Sequence, residues 1–341
     1  MFQPEYSISP QLLETIKQIT LRVHDLNRRV LPEVVYARLL HEARVTSTYA
    51  STSIEGNPLP LTEVRRILKN EPDQVRDSER EVLNYNRALN EFAGSGKKLT
   101  EVRLLALHAV VMDGLLPAHQ SGAYRKEPVV IRDPRSAEIV FLPPDHGDVP
   151  GLIEALFGFA EASGRELDPV LLAGIFHRQF VLIHPFMDGN GRTARLATQV
   201  LLAGMGLDLF PLLSLETYYN RNVTRYFRAV GAFGNYYDLA PGPDFTLWLE
   251  YFAGGILDEL DRLAKQLAAA RTPETALRPH DEALLAYIDE HGFIRDKDYA
   301  GLVDRAKATR ALDFRRLMEL GYIERKGKGR GTYYVRAGDP Q

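Results

Sequence analysis

One run of residues combines side chains that do phosphate chemistry: His184-Pro185-Phe186-Met187-Asp188-Gly189-Asn190-Gly191-Arg192-Thr193-Ala194-Arg195. It follows an apolar helical segment and leads into another, Arg192 to Ala203. Gly189 and Gly191 allow backbone conformations that a side chain forbids, and they precede a helix whose first N–H groups have no internal partner. A helix start of that kind is a cradle for an anion. Arg192 and Arg195 are three apart on the new helix, so both guanidinium groups leave one face, suited to bidentate phosphate contacts. Asp188 offers one hard oxygen ligand, the way Mg²⁺ is held by a carboxylate together with substrate oxygens. His184 is then a base of near-neutral pKa beside a presented phosphorus atom. The separation of His177 from His184 does not suit a metal pair on one helix face, so His177 is read as a packed or hydrogen-bonded support.

At every fixed position this segment resembles the Fic (filamentation induced by cAMP) motif, H-P-F-x-D-G-N-G-R-x-x-R. The resemblance extends to His177 and Phe180, to Gly122-Ala-Tyr-Arg125, to Pro143-Pro144 and to Trp248. It implies a protein adenylyltransferase that binds ATP and Mg²⁺ and moves AMP onto a Tyr, Thr or Ser hydroxyl of a target protein. His184 is then the catalytic base and Asp188 the metal ligand. Gly189, Asn190 and Gly191 hold the α-phosphate region, and Arg192 and Arg195 take the outer phosphates. Gly at 191 and the unbroken motif favour AMP transfer over the phosphate transfer of toxin-like relatives.

Upstream, Ser51-Thr52-Ser53-Ile54-Glu55-Gly56 resembles the family's inhibitory motif, [S/T]-x-x-x-E-[G/N]. Ser51, Glu55 and Gly56 are thus regulatory candidates, and autoinhibition by Glu55 is expected. Independently of that, Glu55 falls at the C-terminal end of a helix stopped by Gly56, where the dipole disfavours a carboxylate, so it calls for an arginine partner. Leu215 to Val230 resembles the segment that frames adenine, with Tyr218, Asn222 and Tyr226 in place and Glu216 and Phe227 departing from it; packed aromatics are the other reading. Gly94-Ser95-Gly96-Lys97-Lys98 lacks the earlier Gly and the Ser or Thr of a phosphate-binding loop and reads as a turn. Gly204-Met205-Gly206 reads as a helix end.

These residues need a scaffold, and the chain of 341 residues is long enough for two or three domains. Its 42 basic and 45 acidic residues nearly balance, so whole-chain attraction to nucleic acid or an anionic membrane is excluded. The absence of cysteine excludes disulfides, thiolate catalysis and Cys-ligated zinc. No export signal is expected in residues 1–28, and no apolar run reaches the roughly 20 residues of a membrane span. A soluble, cytoplasmic protein is expected.

Apolar spacing predicts helices through most of residues 10–68, then over 77–93, 99–116 and 149–162, and from Asp168 to about Leu267. Between them, 128–132 and 138–142 are β-rich around turn chemistry at 133–136, a hairpin whose unpaired edges would either receive an extended peptide or remain a surface decoration. Ala268 to Pro279 reads as a linker. The expected architecture is mainly α: an N-terminal helical region (1–98) with the inhibitory helix, a Fic core (99–267) with a β-hairpin flap, the linker (268–279), and a winged helix-turn-helix (280–337). Arg310, Arg315 and Arg316 on its recognition helix and Arg325, Lys326, Lys328 and Arg330 on its wing keep a DNA-binding regulator open as the rival function, diluted by Asp304, Asp313, Glu319 and Glu324. Dimerisation or partner docking through this module is the other use. Self-modification, a homodimer and AMP removal are left open.

Overall fold

The computed structural model describes residues 2–29, 31–93, 97–132, 138–164, 166–239, 243–270, 277–327 and 329–337. It divides into two compact units, one formed by Met1–Arg28 and Glu42–Leu263, the other by Arg29–His41 and Ala264–Gln341.

The first unit is built on helices whose ends obey local capping chemistry. Helix α1 (Pro10–Asn27) starts with proline at its first turn, and the Ser9 hydroxyl accepts the Leu12 N–H. Helix α2 (Glu33–Ile54) is closed by a two-bond motif: Gly56 N–H donates to Ser53 O and Asn57 N–H to Thr52 O, with Gly56 at φ +92°. This left-handed turn needs glycine, and it sets Glu55 at the helix cap. Helices α3 (Leu61–Lys69) and α4 (Asp77–Ala88) follow, α4 continuing into a π-helical turn at Leu89–Ala93. Helix α5 (Glu101–Val111) is capped by Thr100, whose hydroxyl accepts the Arg103 N–H. It ends before the expected Leu116, at the turn containing Gly114 (φ +66°).

Next come the strands β1 (Ile131–Arg132) and β2 (Ile139–Leu142), then helices α6 (Val149–Ser163), α7 (Pro169–Ile183) and α8 (Asn190–Leu202). Helices α9 (Leu215–Arg221) and α10 (Val223–Val230), strand β3 (Gly234–Asn235) and helix α11 (Thr246–Ala270) complete the series. The core gathers Leu104, Ile153, Leu156, Phe176, Phe180, Ile183, Phe186, Ala194 and Ala197 from α5 to α8. A second cluster sets Tyr85, Phe92, Leu107 and Met112 around Leu196. Helix α7 is buried on nearly every side, which is why its sequence is apolar all round. The 184–189 turn therefore joins two helices at the centre of the unit, and Phe186 in that turn is itself fully buried.

The hairpin differs from the expectation of free edges. β2 pairs antiparallel with β1, and its other edge pairs parallel with β3, Phe141 opposite Gly234 and Leu142 opposite Asn235. A later segment thus covers part of the edge that the hairpin alone leaves open. The expected turn at 133–136 lies outside the described residues.

The second unit holds α12 (Pro279–His291), α13 (Asp296–Leu302), α14 (Lys307–Glu319) and an antiparallel pair, β4 (Ile323–Lys326) with β5 (Tyr333–Arg336). Leu284, Ile288, Tyr299, Phe314, Leu317 and Ile323 form its core. Helix α13 begins earlier than the expected Asp298 because the Asp298 carboxylate accepts the Arg295 N–H. Helix α11 runs three residues beyond the expected Leu267, into the stretch read as a linker; residues 271–276 lie outside the described residues. No helix among the described residues is long and apolar enough to cross a membrane.

Candidate active site

His184 caps α7 in a left-handed conformation, φ +50° and ψ +61°, the one positive-φ non-glycine among the described residues. Such a conformation costs on the order of 1–3 kcal/mol, so the surroundings must enforce it. The His184 N–H donates to Phe180 O, and its carbonyl accepts from Arg125 Nε at 2.8 Å. The imidazole Nδ1 lies 3.3 Å from Val181 O. A carbonyl only accepts, so Nδ1 carries the hydrogen and Nε2 keeps its lone pair. Burial depresses the ring's pKa to about 4, with the Val181 carbonyl opposing and the Arg125 cation assisting, so the ring is neutral at pH 7.

The turn after His184 is stapled from within and from below. The Asn190 amide accepts the Phe186 N–H and donates to Phe186 O, both at 2.9 Å. Its side chain is therefore engaged within the loop, which leaves its main-chain N–H at the helix start. His108, which sequence reasoning passed over, stacks on Phe186 with centroids 3.6 Å apart. Its Nδ1 accepts the Gly122 N–H at 2.9 Å, so Nε2 must carry the hydrogen donated to Asp188 O at 3.0 Å. A Cβ on Gly189 (φ +76°) would lie 2.5 Å from Met112 Sδ, hence the glycine. Thr193 N–H makes the first intrahelical bond, to Gly189 O. The amides of Asn190, Gly191 and Arg192 precede it, as a helix N-terminus requires of an anion site.

Both arginines are buried and engaged. Arg192 pairs with Glu81 at 2.8 Å and with Asp188 at 3.0 Å. Arg195 donates from Nε to Ser51 Oγ (2.8 Å), and from Nη2 to Ser51 O (2.9 Å) and Glu55 Oε1 (2.8 Å). Burial opposes the Arg195 charge, and the Glu55 carboxylate together with Tyr226 and Tyr85 outweighs it, raising its pKa. Ser51 and Glu55 thus both meet Arg195. A Cβ on Gly191 would lie 2.2 Å from Glu55 Oε1, so that carboxylate rests against the cradle.

Glu81, also missed in the sequence, is displaced upward in pKa by burial, while Arg192 and Asn57 oppose the shift. Nothing local marks it, because its partner lies 111 residues away.

Three buried donors at this centre have no protein partner among the described residues: Arg192 Nε, Arg195 Nη1 and Thr193 Oγ1. Unmatched donors around a bare helix start fit a polyanion. Asp188 is more than half exposed and its Oδ1 also accepts the Gly189 N–H. Among the described residues it belongs to no three-ligand cluster. One exposed carboxylate beside phosphate donors fits Mg²⁺ that takes its other ligands from substrate and water. His280, Asp281 and Asp313 do cluster in the second unit, yet Arg316 and Arg305 already neutralise their carboxylates.

The remaining candidates lie elsewhere or are committed. Tyr226 is buried, and its hydroxyl is 3.0 Å from His177 Nε2. Thr198 Oγ1 donates to Ala194 O and so accepts from His177 Nδ1, leaving Nε2 to accept from Tyr226. Tyr226 is thus a packed support in this structure. Asn222 is exposed and caps α10 by accepting the Arg225 N–H. Glu216 accepts from Ser47, Tyr85 and Gln199, making a buried polar knot that holds α2, α4, α8 and α9 together. A groove of about 780 Å³ opens at the far end of α8, near Val200 and Leu201; its lining holds neither His nor Arg. In the second unit Arg310 is paired with Asp296 and Arg316 with Asp281, Lys326 reaches Glu324, and Arg315 is exposed. Lys328 and the Arg330 side chain lie outside the described residues.

Residues 98–202 match the Fic/DOC family model. The chain is 28% identical over 223 residues to "Protein adenylyltransferase Fic" of Drosophila willistoni, covering 61% of this chain and 43% of that protein. With the protein of the same name from Culex quinquefasciatus it shares 31% over 173 residues, 48% of this chain and 33% of that one. It thus spans less than half the length of the curated relatives it matches. The solved structure of a Fic family protein from Desulfovibrio desulfuricans G20 is 26% identical, with a TM-score of 0.67 and full coverage of both chains. The motif geometry and these likenesses agree over residues 98–202, the stretch that is similar to the Fic/DOC family.

Proposed function

We propose that this protein is an adenylyltransferase that transfers AMP from ATP to a Tyr, Thr or Ser hydroxyl of a protein. The observation that carries the reading is the junction of a neutral imidazole, His184, with a helix start whose buried Arg192, Thr193 and Arg195 donors await an acceptor. The amides of Asn190, Gly191 and Arg192 bind the phosphates, and Arg195, once free of Glu55, takes the outer ones. Asp188 would hold Mg²⁺, which would supply charge neutralisation at the phosphates. His184 Nε2 takes the hydroxyl proton, its basicity rising beside the incoming anion. The hydroxyl oxygen forms a bond to the α-phosphorus as the bond from that phosphorus to the bridging oxygen breaks, and pyrophosphate leaves.

The target lies against the small sheet in this reading. Val130, Ile139, Leu142 and Phe233 are exposed apolar residues on or beside it, a surface that suits an extended segment. Arg195 is the switch: Ser51 and Glu55 occupy it, so the resting enzyme is autoinhibited. The three helices and hairpin of the second unit are read as a winged helix that docks protein, since two of its three recognition-helix arginines are neutralised by carboxylates.

Incubation of the purified protein and a candidate target with ATP and Mg²⁺, followed by mass spectrometry, tests the reaction class. A mass gain of one AMP on either protein supports it, and a gain of one phosphate overturns it. A salt-dependent shift of duplex DNA by the full chain would restore the rival reading.

A further inference from the structure

Arg125 is nearly fully buried (3% exposed), yet its hydrogen bonds go to main-chain carbonyls. Nε donates to His184 O at 2.8 Å, Nη1 to Glu127 O at 3.2 Å, and Nη2 to Pro144 O at 2.5 Å. Its own N–H donates to Pro185 O at 2.9 Å. Glu127 enters the β1–β2 hairpin and Pro144 leaves it, so one planar cation ties both feet of the hairpin to the residue that carries the imidazole. That residue is also the one held in a left-handed backbone conformation. A buried guanidinium is costly to desolvate and survives only where its donors are well used.

We infer that Arg125 is a positioning residue that locks the hairpin platform and the His184 backbone into one register, so that a hydroxyl docked on the platform arrives at Nε2. The inference rests on the proposed role of His184 as base. The fork of three donors matters, because a lysine ammonium is a point charge that cannot span carbonyls belonging to three separate turns. A displacement of about 1 Å between base and hydroxyl is enough to lower transfer roughly a hundredfold.

The test compares Arg125→Met, Arg125→Ala and Arg125→Lys with their parent in a Glu55→Gly background. Hydrogen exchange of residues 126–132 and 138–144 is read against that of α7, an internal control for folding. AMP transfer and the affinity for a non-hydrolysable ATP analogue are measured in parallel. Expected are at least tenfold faster exchange in the hairpin with α7 unchanged, transfer down about a hundredfold, and analogue affinity within about twofold of the parent, since Arg125 touches none of the phosphate donors. Arg125→Lys should recover little of the transfer, whereas methylguanidinium should restore part of it to Arg125→Ala. Unchanged hairpin exchange overturns the inference, and so does a matched loss of analogue affinity and transfer, or full activity in Arg125→Lys. Should the parent transfer no AMP, the adenylyltransferase reading fails, while the exchange comparison still decides the role of Arg125.

Discussion

Replacing Glu55 with glycine should switch the enzyme on. Arg195 is the most buried charge at the centre, its side chain 1% exposed, and Glu55 meets it at 2.8 Å with a quarter of its own side chain open to water. Deleting one partner of a buried pair costs about 3–5 kcal/mol, and the partial exposure of Glu55 discounts that to roughly 2–3 kcal/mol. At about 1.4 kcal/mol per tenfold, the competent population should rise about 30- to 150-fold. Arg195 does not collapse in the variant, because Ser51 still holds its Nε and Nη2. Residue 55 sits at the cap ahead of Gly56, so glycine there costs the helix at most about 1 kcal/mol. The assay follows AMP incorporation by wild type, Glu55→Gly and Glu55→Gly/His184→Ala across a series of ATP concentrations. If Glu55 and ATP compete for Arg195, the gap between wild type and variant narrows as ATP rises. A single variant no faster than wild type would refute the reasoning, and activity surviving in the double variant would show that the gain bypasses His184.

In the same background, His184→Ala should lower transfer by about 10²–10⁴ while an ATP analogue still binds, since only the proton acceptor is removed; retained transfer would reassign the base. Ile139→Pro, at an exposed position of β2, should weaken target modification more than ATP binding, with equal losses pointing to misfolding; Phe141 is unsuitable because it is buried. Glu81→Ala leaves the buried Arg192 guanidinium with only the exposed Asp188 carboxylate and should destabilise the fold by about 1–3 kcal/mol in urea titration, against no measurable change if the pair is dispensable. Burial holds His177 near pKa 3 and His108 near 4, both below the unfolded value of 6.5. Below pH 6.5 the unfolded chain takes up protons that the folded one refuses, so their contribution, complete above that pH, is lost on acidification toward pH 4. The slope is roughly 1.4 kcal/mol per pH unit for each ring. A double His108→Gln/His177→Gln variant that kept the full slope would contradict this origin.

A chain of side-chain contacts also runs from the Gly56 turn to Asp188. Asn57, directly after the Gly56 turn, donates to Glu81; Glu81 holds Arg192; and Arg192 reaches Asp188. Arg192 therefore has two carboxylate partners, the half-buried Glu81 and the exposed Asp188.

By itself the sequence determined whatever depends on neighbours along the chain. The 184–195 run declares a glycine-opened helix start with two arginines on one face, Gly56 declares a stop with a carboxylate at the cap, and apolar periodicity declares the helices, because spacing and backbone freedom are local properties. Only the tertiary structure decided which partners those groups have. It spent the Asn190 amide on Phe186, buried Tyr226 against His177, and covered one hairpin edge with Gly234 and Asn235. It also supplied His108, Glu81 and Arg125, whose types and spacings are unremarkable along the chain. Hydrogen bonds and ion pairs between residues 59 to 140 positions apart are set by how helices pack, and no periodicity within a single element encodes them.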